Sequence, residues 1–153
     1  MIELDETDWA ILRALVQDAS QGAGAVGRAV GLSQPAAWRR IKRLRTAGVL
    51  APPRLRLDAE ALGFGVTVFL GVKLARKGAG AGLEDFERAV CAIPEVQSVE
   101  HVLGLYDYRL RVVARDLPDF ERILRRRIMT LPGAGEVEAN VLLSEERLPG
   151  PMG

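Results

Sequence analysis

The sequence is poor in the two residues that most often build metal sites and covalent cross-links. Its 153 residues contain one cysteine, Cys91, and one histidine, His101. A single cysteine excludes a disulfide within the chain, which favours a reducing compartment, so we predict a cytoplasmic protein with Cys91 in its core. The usual Cys/His zinc sites are excluded within one chain. A Ser-His-Asp triad would have to use His101. We therefore expect neither a metal ion nor a cofactor.

Long hydrophobic runs are also missing. The longest apolar stretch, Val66–Leu74, is interrupted by Lys73 and is far shorter than the ~20 residues that a membrane helix needs. Met1 leads straight into the acidic segment Glu3–Asp8, so no signal peptide is predicted. Apolar residues make up 48% of the chain and charged residues 27%, which is typical of a globular protein away from membranes.

Charge is distributed unevenly along the chain. Residues 1–57 carry nine Lys/Arg against five Asp/Glu, whereas residues 58–153 carry twelve against fifteen. Five basic residues and no acid lie between Arg39 and Arg45. This asymmetry predicts a basic part that meets a polyanion, joined to an acidic part with a different task.

Three short helices are predicted at the start of the chain. The first begins at the N-cap Asp5, and the second ends at Gly31. The third is capped by Ser33 and ends before Gly48. The tight turn between the last two helices predicts a helix-turn-helix at about residues 23–42.

The third helix has two different faces. Ala37, Ile41 and Leu44 share one side at helical spacing, which predicts its buried face. The other side is cationic with one large aromatic residue, and the start of such a helix can hold a phosphate and approach base edges. The predicted DNA contacts are Ser33, Gln34, Pro35, Trp38, Arg39, Arg40, Lys42 and Arg43.

Three alternatives stay open for this helix. The basic run as a whole is also compatible with a solvated face. Trp38 is also compatible with packing against a neighbouring helix. Arg40 lies between the two faces, where it can reach either backbone phosphates or an acidic partner within the protein.

Beyond the helices the periodicity changes to alternation. Leu55 and Leu57 alternate with arginines and predict a short strand. The order that follows is β-α-β-β-α-β, the ferredoxin-like plan. Tyr106 is expected on the same sheet face as Tyr108, and a loop is predicted at 76–82. Nothing in the chain is left to cover the second sheet face, which we expect to be apolar and to mediate self-association.

The predicted fold class is therefore α+β, with two domains. A three-helix, helix-turn-helix domain at 1–50 is joined by a hinge strand or linker at 51–64 to a ferredoxin-like domain at 65–148, and 149–153 form a tail.

Four motifs, taken in order, resemble those of one protein family. They are Leu4-Asp5-x-x-Asp8-x-x-Ile11-Leu12, Val30-Gly31-Leu32-Ser33, Arg40-Ile41-Lys42-Arg43-Leu44-x-x-x-Gly48-Val49-Leu50, and Gly104-Leu105-Tyr106-Asp107-Tyr108. The first three resemble the opening of the leucine-responsive regulatory protein/AsnC (Lrp/AsnC) family. The last resembles the Gly-x-x-Asp turn of that family's effector domain, called RAM. The resemblance implies a transcription regulator with a winged-helix-type DNA reader, a hinge strand and an amino-acid-sensing RAM domain that assembles dimers, often into octamers.

The resemblance also implies an effector site. An amino acid would lie at the turn formed by Gly104, Leu105, Tyr106 and Asp107. Asp107 would pair with its ammonium group and the turn amides with its carboxylate, although Asp107 is equally typical of a turn-forming residue. Because Leu105 stands where the family has a polar residue, we expect an apolar or sulfur-containing effector.

Two other functions are kept as alternatives. Some siroheme decarboxylases resemble the family in fold, and His101 lies near the relevant turn. An architectural protein that compacts DNA without an effector is the other alternative, and it would bind with little sequence preference.

Overall fold

The computed structural model describes residues 2–75 and 81–146, with the backbone alone at Ala81. The chain divides into two compact units, one extending up to Arg56 and the other comprising Leu57–Glu145. The predicted loop at 76–82 falls for the most part outside the described residues, as does the tail at 149–153. No helix in the described ranges is long and apolar enough to cross a membrane.

The first unit consists of the three predicted helices. They are α1 (Glu6–Gln17), α2 (Ala23–Val30) and α3 (Gln34–Thr46). A capping box starts α1, in which the Asp5 carboxylate accepts from the Asp8 N–H at 2.8 Å and the Asp8 carboxylate accepts from the Asp5 N–H at 3.1 Å. The helices share an apolar core of Ile11, Leu12, Val26, Ile41 and Leu44.

Two glycines form the tight turn between α2 and α3. Gly31 adopts a left-handed φ of 74°, which ends α2 as predicted. Gly27 lies against the turn, because an added Cβ would come within 2.7 Å of the Leu32 carbonyl oxygen and 3.3 Å of the Ala37 Cβ. The predicted helix-turn-helix is therefore formed, and it depends on a close backbone approach at Gly27.

The connector differs from the prediction. Residues 47–65 form turns and extended segments, so the strand predicted around Leu55 and Leu57 is not formed within this chain, and the described chain has no wing hairpin. These two leucines are 89% and 65% exposed. A strand needs a hydrogen-bonded neighbour, and within this chain the segment has none. A turn that sequence reasoning missed follows it, where the Asp58 carboxylate accepts from the Glu60 N–H at 3.0 Å.

The second unit is an antiparallel sheet with two helical segments. Its elements are β1 (Val66–Leu74), α4 (Ala81–Cys91), β2 (Val96–His101), β3 (Tyr108–Ala114), α5 (Leu117–Ile123) with a π-helical continuation (Leu124–Ile128), and β4 (Ala134–Val141). The strand order is β2-β3-β1-β4, and all three neighbouring pairs are antiparallel. This is the predicted ferredoxin-like arrangement.

The strand alternation buries one face of this sheet. On β1 the side chains of Val68, Leu70 and Val72 are wholly buried, as the alternation predicted. The helices supply Phe86, Val90 and further residues to the same core. Among the described residues, this core cluster comprises Val68, Leu70, Val72, Phe86, Val90, Ile93, Tyr108, Leu110, Val112, Ala114, Phe120, Ile123, Ile128 and Leu131.

The open face of the sheet is not the apolar surface that we expected. Register pairs Gly71 with Arg109 and Glu138, and Phe69 with Arg111 and Asn140, so polar side chains dominate this face. The prediction failed because the residues between the buried apolar positions of β3 and β4 are mostly charged or polar, and alternation places them all on the open side.

Two further side chains lie elsewhere than predicted. Cys91 is exposed, because it ends α4 and points about 100° away from the buried Val90. Tyr106 does not share a face with Tyr108, because β3 begins only at Tyr108 and Tyr106 belongs to the preceding bend.

Candidate nucleic-acid interface and effector cavity

The exposed face of α3 is the one predicted. Ala37, Ile41 and Leu44 are buried at 0%, 6% and 0% exposure, which turns the cationic side outward. Trp38 is 53% exposed, so the alternative in which it packs against a neighbouring helix is wrong within this chain. The Lys42 ammonium lies 4.9 Å from the centre of the Trp38 ring, a cation–π contact.

A shallow concave surface runs along this face. It is lined by Trp38, Arg39, Lys42, Arg43, Thr46 and Ala47. At the N-terminal end of the helix, Ser33, Gln34 and Pro35 are exposed, and the Ser33 hydroxyl accepts from the Ala36 N–H at 3.4 Å. The predicted DNA-contact residues therefore lie along one side of a helix and are exposed, apart from the half-buried Arg40, and two of them, Arg40 and Arg43, also take part in ion pairs.

Those two arginines have acidic partners inside the unit. Arg40 donates to the Asp5 carboxylate at 2.7 Å and to the Asp8 carboxylate at 2.9 Å. Arg43 donates to the second oxygen of Asp8. Of the two alternatives for Arg40, the structure shows the internal acidic partner.

The carboxylates of this cluster are held in their charged form. Hydrogen bonding from Arg40 lowers the pKa of Asp5 below its ordinary value. Burial raises the pKa of Asp8, but the Asp5 N–H and the guanidinium groups of Arg40 and Arg43 outweigh burial, so the net pKa of Asp8 is lowered. The cluster therefore carries two full negative charges against two positive ones at neutral pH.

On the sheet, the register assembles a second candidate site. The Tyr106 ring lies over Gly71, and its hydroxyl donates to the Glu138 carboxylate. The Asn140 amide donates to the other oxygen of Glu138 at 3.1 Å. Beside them, Arg109 donates to the Glu100 carboxylate at 2.7 Å. A carboxylate and a guanidinium thus lie on the same open face.

These groups surround a cavity of about 310 Å³. Its lining consists of Phe69, Leu70, Gly71, Val102, Gly104, Leu105, Tyr106, Tyr108, Arg109, Glu138 and Asn140. A volume of this size is at the lower end for small-molecule sites, where apolar walls and a few convergent polar groups are typical. Hydrogen bonding to Glu138 raises the pKa of Tyr106, and the same bond lowers the pKa of Glu138.

Of the four residues predicted for the effector, three line this cavity, whereas Asp107 is not among the lining residues. Gly104, Leu105 and Tyr106 belong to the lining. The Asp107 carboxylate accepts from the Leu74 N–H at 2.9 Å, and the Asp107 N–H donates to the Val72 carbonyl. Asp107 thus ties the turn to β1, which agrees with its turn-forming interpretation.

Sequence reasoning missed the polar groups of the cavity. Arg109, Glu138 and Asn140 each lie at an exposed position of a strand and look like ordinary solvated residues in the sequence. Only the pairing of Gly71 with both Arg109 and Glu138 brings them to the turn that begins at Gly104. The glycine in the middle of an alternating strand was the one available signal.

Fold and surfaces together define a class of protein: a helix-turn-helix unit of the DNA-binding kind, followed by a ferredoxin-like domain with a small cavity. Residues 4–45 match the AsnC-type helix-turn-helix domain, and residues 67–149 match the Lrp/AsnC ligand binding domain. The chain therefore belongs to the Lrp/AsnC family of transcription regulators, as the sequence motifs indicated.

Relatives of known role agree with this assignment. The Bkd operon transcriptional regulator of Pseudomonas aeruginosa is 34% identical over 97% of this chain and 96% of its own length. The leucine-responsive regulatory protein of Haemophilus influenzae is 30% identical over 93% of this chain and 85% of its own length. The family and these relatives are regulators rather than enzymes, so the siroheme-decarboxylase alternative is wrong.

A solved structure has the same fold over nearly the whole chain. It is a transcriptional regulator from Neisseria meningitidis in complex with L-Met, with a TM-score of 0.88 and 28% identity over 95% of this chain and 94% of that one. The order of elements described above is therefore that of an established regulator fold.

Proposed function

We propose that α3 enters the major groove and reads a specific DNA sequence. The observation that carries this proposal is the outward cationic face of α3, which follows the tight turn at Gly31 and includes the exposed Trp38. Gln34 and Arg39 lie near the start of the helix, where side chains reach base edges. The proposed contacts are Ser33, Gln34, Pro35, Trp38, Arg39 and Lys42.

The test is selection of bound fragments from genomic DNA, followed by affinity measurements on a selected site. Arg39→Ala should weaken binding by about 1–3 kcal/mol if its guanidinium contacts a base, and should relax specificity at one position. Arg13→Ala is the matched control, because Arg13 is also exposed but lies on α1. Equal losses in both variants contradict the proposed interface. Binding with little sequence preference favours the DNA-compacting alternative.

We propose in addition that the cavity on the open sheet face binds a free amino acid. Glu138 provides an anion for the ammonium group, and Arg109 provides a cation for the carboxylate. Phe69 and Leu105 supply apolar walls, which favours an apolar or sulfur-containing side chain over an acidic one. The L-Met complex of the Neisseria meningitidis regulator supports this choice of ligand class.

Calorimetry with each of the twenty amino acids tests the site. Glu138→Gln should weaken binding at least tenfold, because it removes the negative charge but keeps the shape of the side chain. Asp107→Asn distinguishes the two roles of Asp107, since a structural role lowers the thermal midpoint without abolishing binding. Equal affinity in wild type and Glu138→Gln places the ligand elsewhere. Absence of any binding at millimolar concentration reduces the domain to an assembly module.

We propose that the chain works in the cytoplasm as a dimer or a higher assembly of dimers. Leu103 is fully exposed and Leu105 is 71% exposed, so two leucines beside the cavity are available to a second copy. A dimer would read two half-sites about 10 base pairs, or a multiple, apart. Light scattering of the full chain, with and without bound amino acid, tests whether the ligand changes the assembly. A full chain that is monomeric at micromolar concentration contradicts the proposed dimer.

A further inference from the structure

Asp8 is the one buried charged residue among those that the structure describes. Its side chain has no exposed surface, although it lies in the first turn of α1. Its two oxygens accept from Arg40 at 2.9 Å, from Arg43, and from the Asp5 N–H at 3.1 Å. Asp5 adds a second carboxylate on Arg40. The N-terminus of α1 is thereby joined to the middle of α3 by four charged side chains.

This cluster divides the basic run of α3 into two groups. The guanidinium groups of Arg40 and Arg43 are neutralised by the two carboxylates. Within the described ranges, no carboxylate lies within ion-pair distance of Arg39, Lys42 or Arg45. The net positive charge on the side of α3 that carries Trp38 therefore comes from Arg39, Lys42 and Arg45 alone.

We propose that Asp8 is a positioning residue of the DNA-binding surface. It holds Arg40 and Arg43 against α1 in the DNA complex as well as in the free protein. DNA phosphates are then met by Arg39 and Lys42, which have no internal acid. This inference rests on the proposed function of α3 as the DNA-reading helix.

The physical reason is the cost of leaving a buried charge unpaired. If Arg40 and Arg43 moved to phosphates, Asp8 would keep only the Asp5 N–H, and an uncompensated buried carboxylate is strongly destabilising. Phosphates on the surface of DNA are well solvated and screened by salt. Their attraction for Arg40 and Arg43 is therefore weaker than that of the buried Asp8 carboxylate. The two arginines therefore stay with Asp8, and non-specific attraction to DNA is kept low.

Salt dependence of DNA affinity measures how many phosphates the protein neutralises. Each contact adds about 0.9 to the slope of log K against log salt concentration, or about a 3–4-fold loss between 50 and 200 mM salt. Affinity for a selected duplex and for a mixed-sequence duplex of equal length is measured over this range. Asp8→Asn should steepen the slope by about 1–2 and reduce the ratio of specific to non-specific affinity.

Three further variants and a control make the test independent of the folding of Asp8→Asn. Asp5→Asn, whose carboxylate is 54% exposed, should change the slope in the same direction but less, because Arg40 keeps Asp8. Arg40→Gln should leave the slope of the wild type unchanged, whereas Lys42→Gln should lower it by about 0.9. Asp18→Asn is the matched control, since Asp18 lies at the other end of α1, where its carboxylate accepts from the Ser20 N–H at 2.9 Å and the Ser20 hydroxyl at 2.6 Å.

The outcomes separate the two proposals. A wild type that binds no DNA removes the proposed function itself. A wild type that binds, with unchanged slopes in folded Asp5→Asn and Asp8→Asn, shows that the cluster only stabilises the unit and overturns the inference. A slope lowered by about 0.9 in Arg40→Gln also overturns it, because Arg40 would then contact a phosphate.

Discussion

The ring of Tyr106 lies directly against the backbone of Gly71. A Cβ added at Gly71 would come within 2.5 Å of the Tyr106 Cδ2 and 2.7 Å of its Cγ. Glycine at this position therefore gives the ring its place on the open sheet face, where its hydroxyl reaches Glu138. One wall of the candidate effector cavity depends on this contact.

We expect Gly71→Ala to displace the Tyr106 ring and to break its hydrogen bond to Glu138. The free energy of unfolding should fall by about 1 kcal/mol, the lower end of the usual cost of overpacking, because Gly71 and the Tyr106 ring are both only half-buried. Amino-acid affinity measured by calorimetry should fall as well. Gly82→Ala is the control, because nothing lies within 4 Å of a Cβ at Gly82. Unchanged stability and unchanged ligand affinity in Gly71→Ala contradict this account.

Two glycines of α2 should respond oppositely to alanine. Gly24→Ala adds a Cβ whose nearest neighbour is Gln34 Oε1 at 3.4 Å, so the gain in helix propensity should stabilise the first unit by up to about 1 kcal/mol. Gly27→Ala would place a Cβ 2.7 Å from the Leu32 carbonyl and should destabilise it. Chemical denaturation of both variants measures the two signs. Stabilisation by Gly27→Ala would show that the turn adapts freely.

Tyr108→Phe should destabilise the second unit. Tyr108 is 1% exposed and its hydroxyl donates to the Glu87 carboxylate at 2.6 Å. Burial and this bond raise the pKa of Tyr108, so the hydroxyl stays protonated throughout the neutral range. Loss of a hydrogen bond to a charged acceptor should cost about 1.5–3 kcal/mol, measured by thermal unfolding. An unchanged midpoint of thermal unfolding means that a water molecule hydrogen-bonds to Glu87 as well as the Tyr108 hydroxyl does.

Acid should weaken the first unit through Asp5. The pKa of Asp5 is lower in the folded chain than in the unfolded one, so its stabilising contribution is complete above an ordinary pKa of about 4. The contribution is lost as the pH falls through the lowered native pKa. Wild type should therefore be more stable than Asp5→Asn at pH 6, and the gap should shrink towards pH 2. A gap of constant size across denaturation curves from pH 6 to pH 2 contradicts this assignment.

Local signals in the sequence were sufficient for most of the fold. Asp5, Gly31 and Ser33 each act on a backbone within a few residues of themselves, so caps and turns could be predicted from their neighbours alone. Alternation along Val66–Leu74 likewise predicted the buried strand face. The strand predicted around Leu55 is not formed within this chain, because alternation describes two faces of a segment but does not supply a pairing partner.

The sequence by itself determined the family, the order of the elements and the helix that faces outward, because these follow from short-range spacing and from motifs. Only the tertiary structure decided which charged side chains share a site. Arg40 meets Asp8 across 32 positions of sequence, and Tyr106 meets Glu138 across 32 as well. Such pairs depend on helix packing and strand register, which bring residues together that are distant in the sequence. They produce no periodic pattern from which the contact could be predicted.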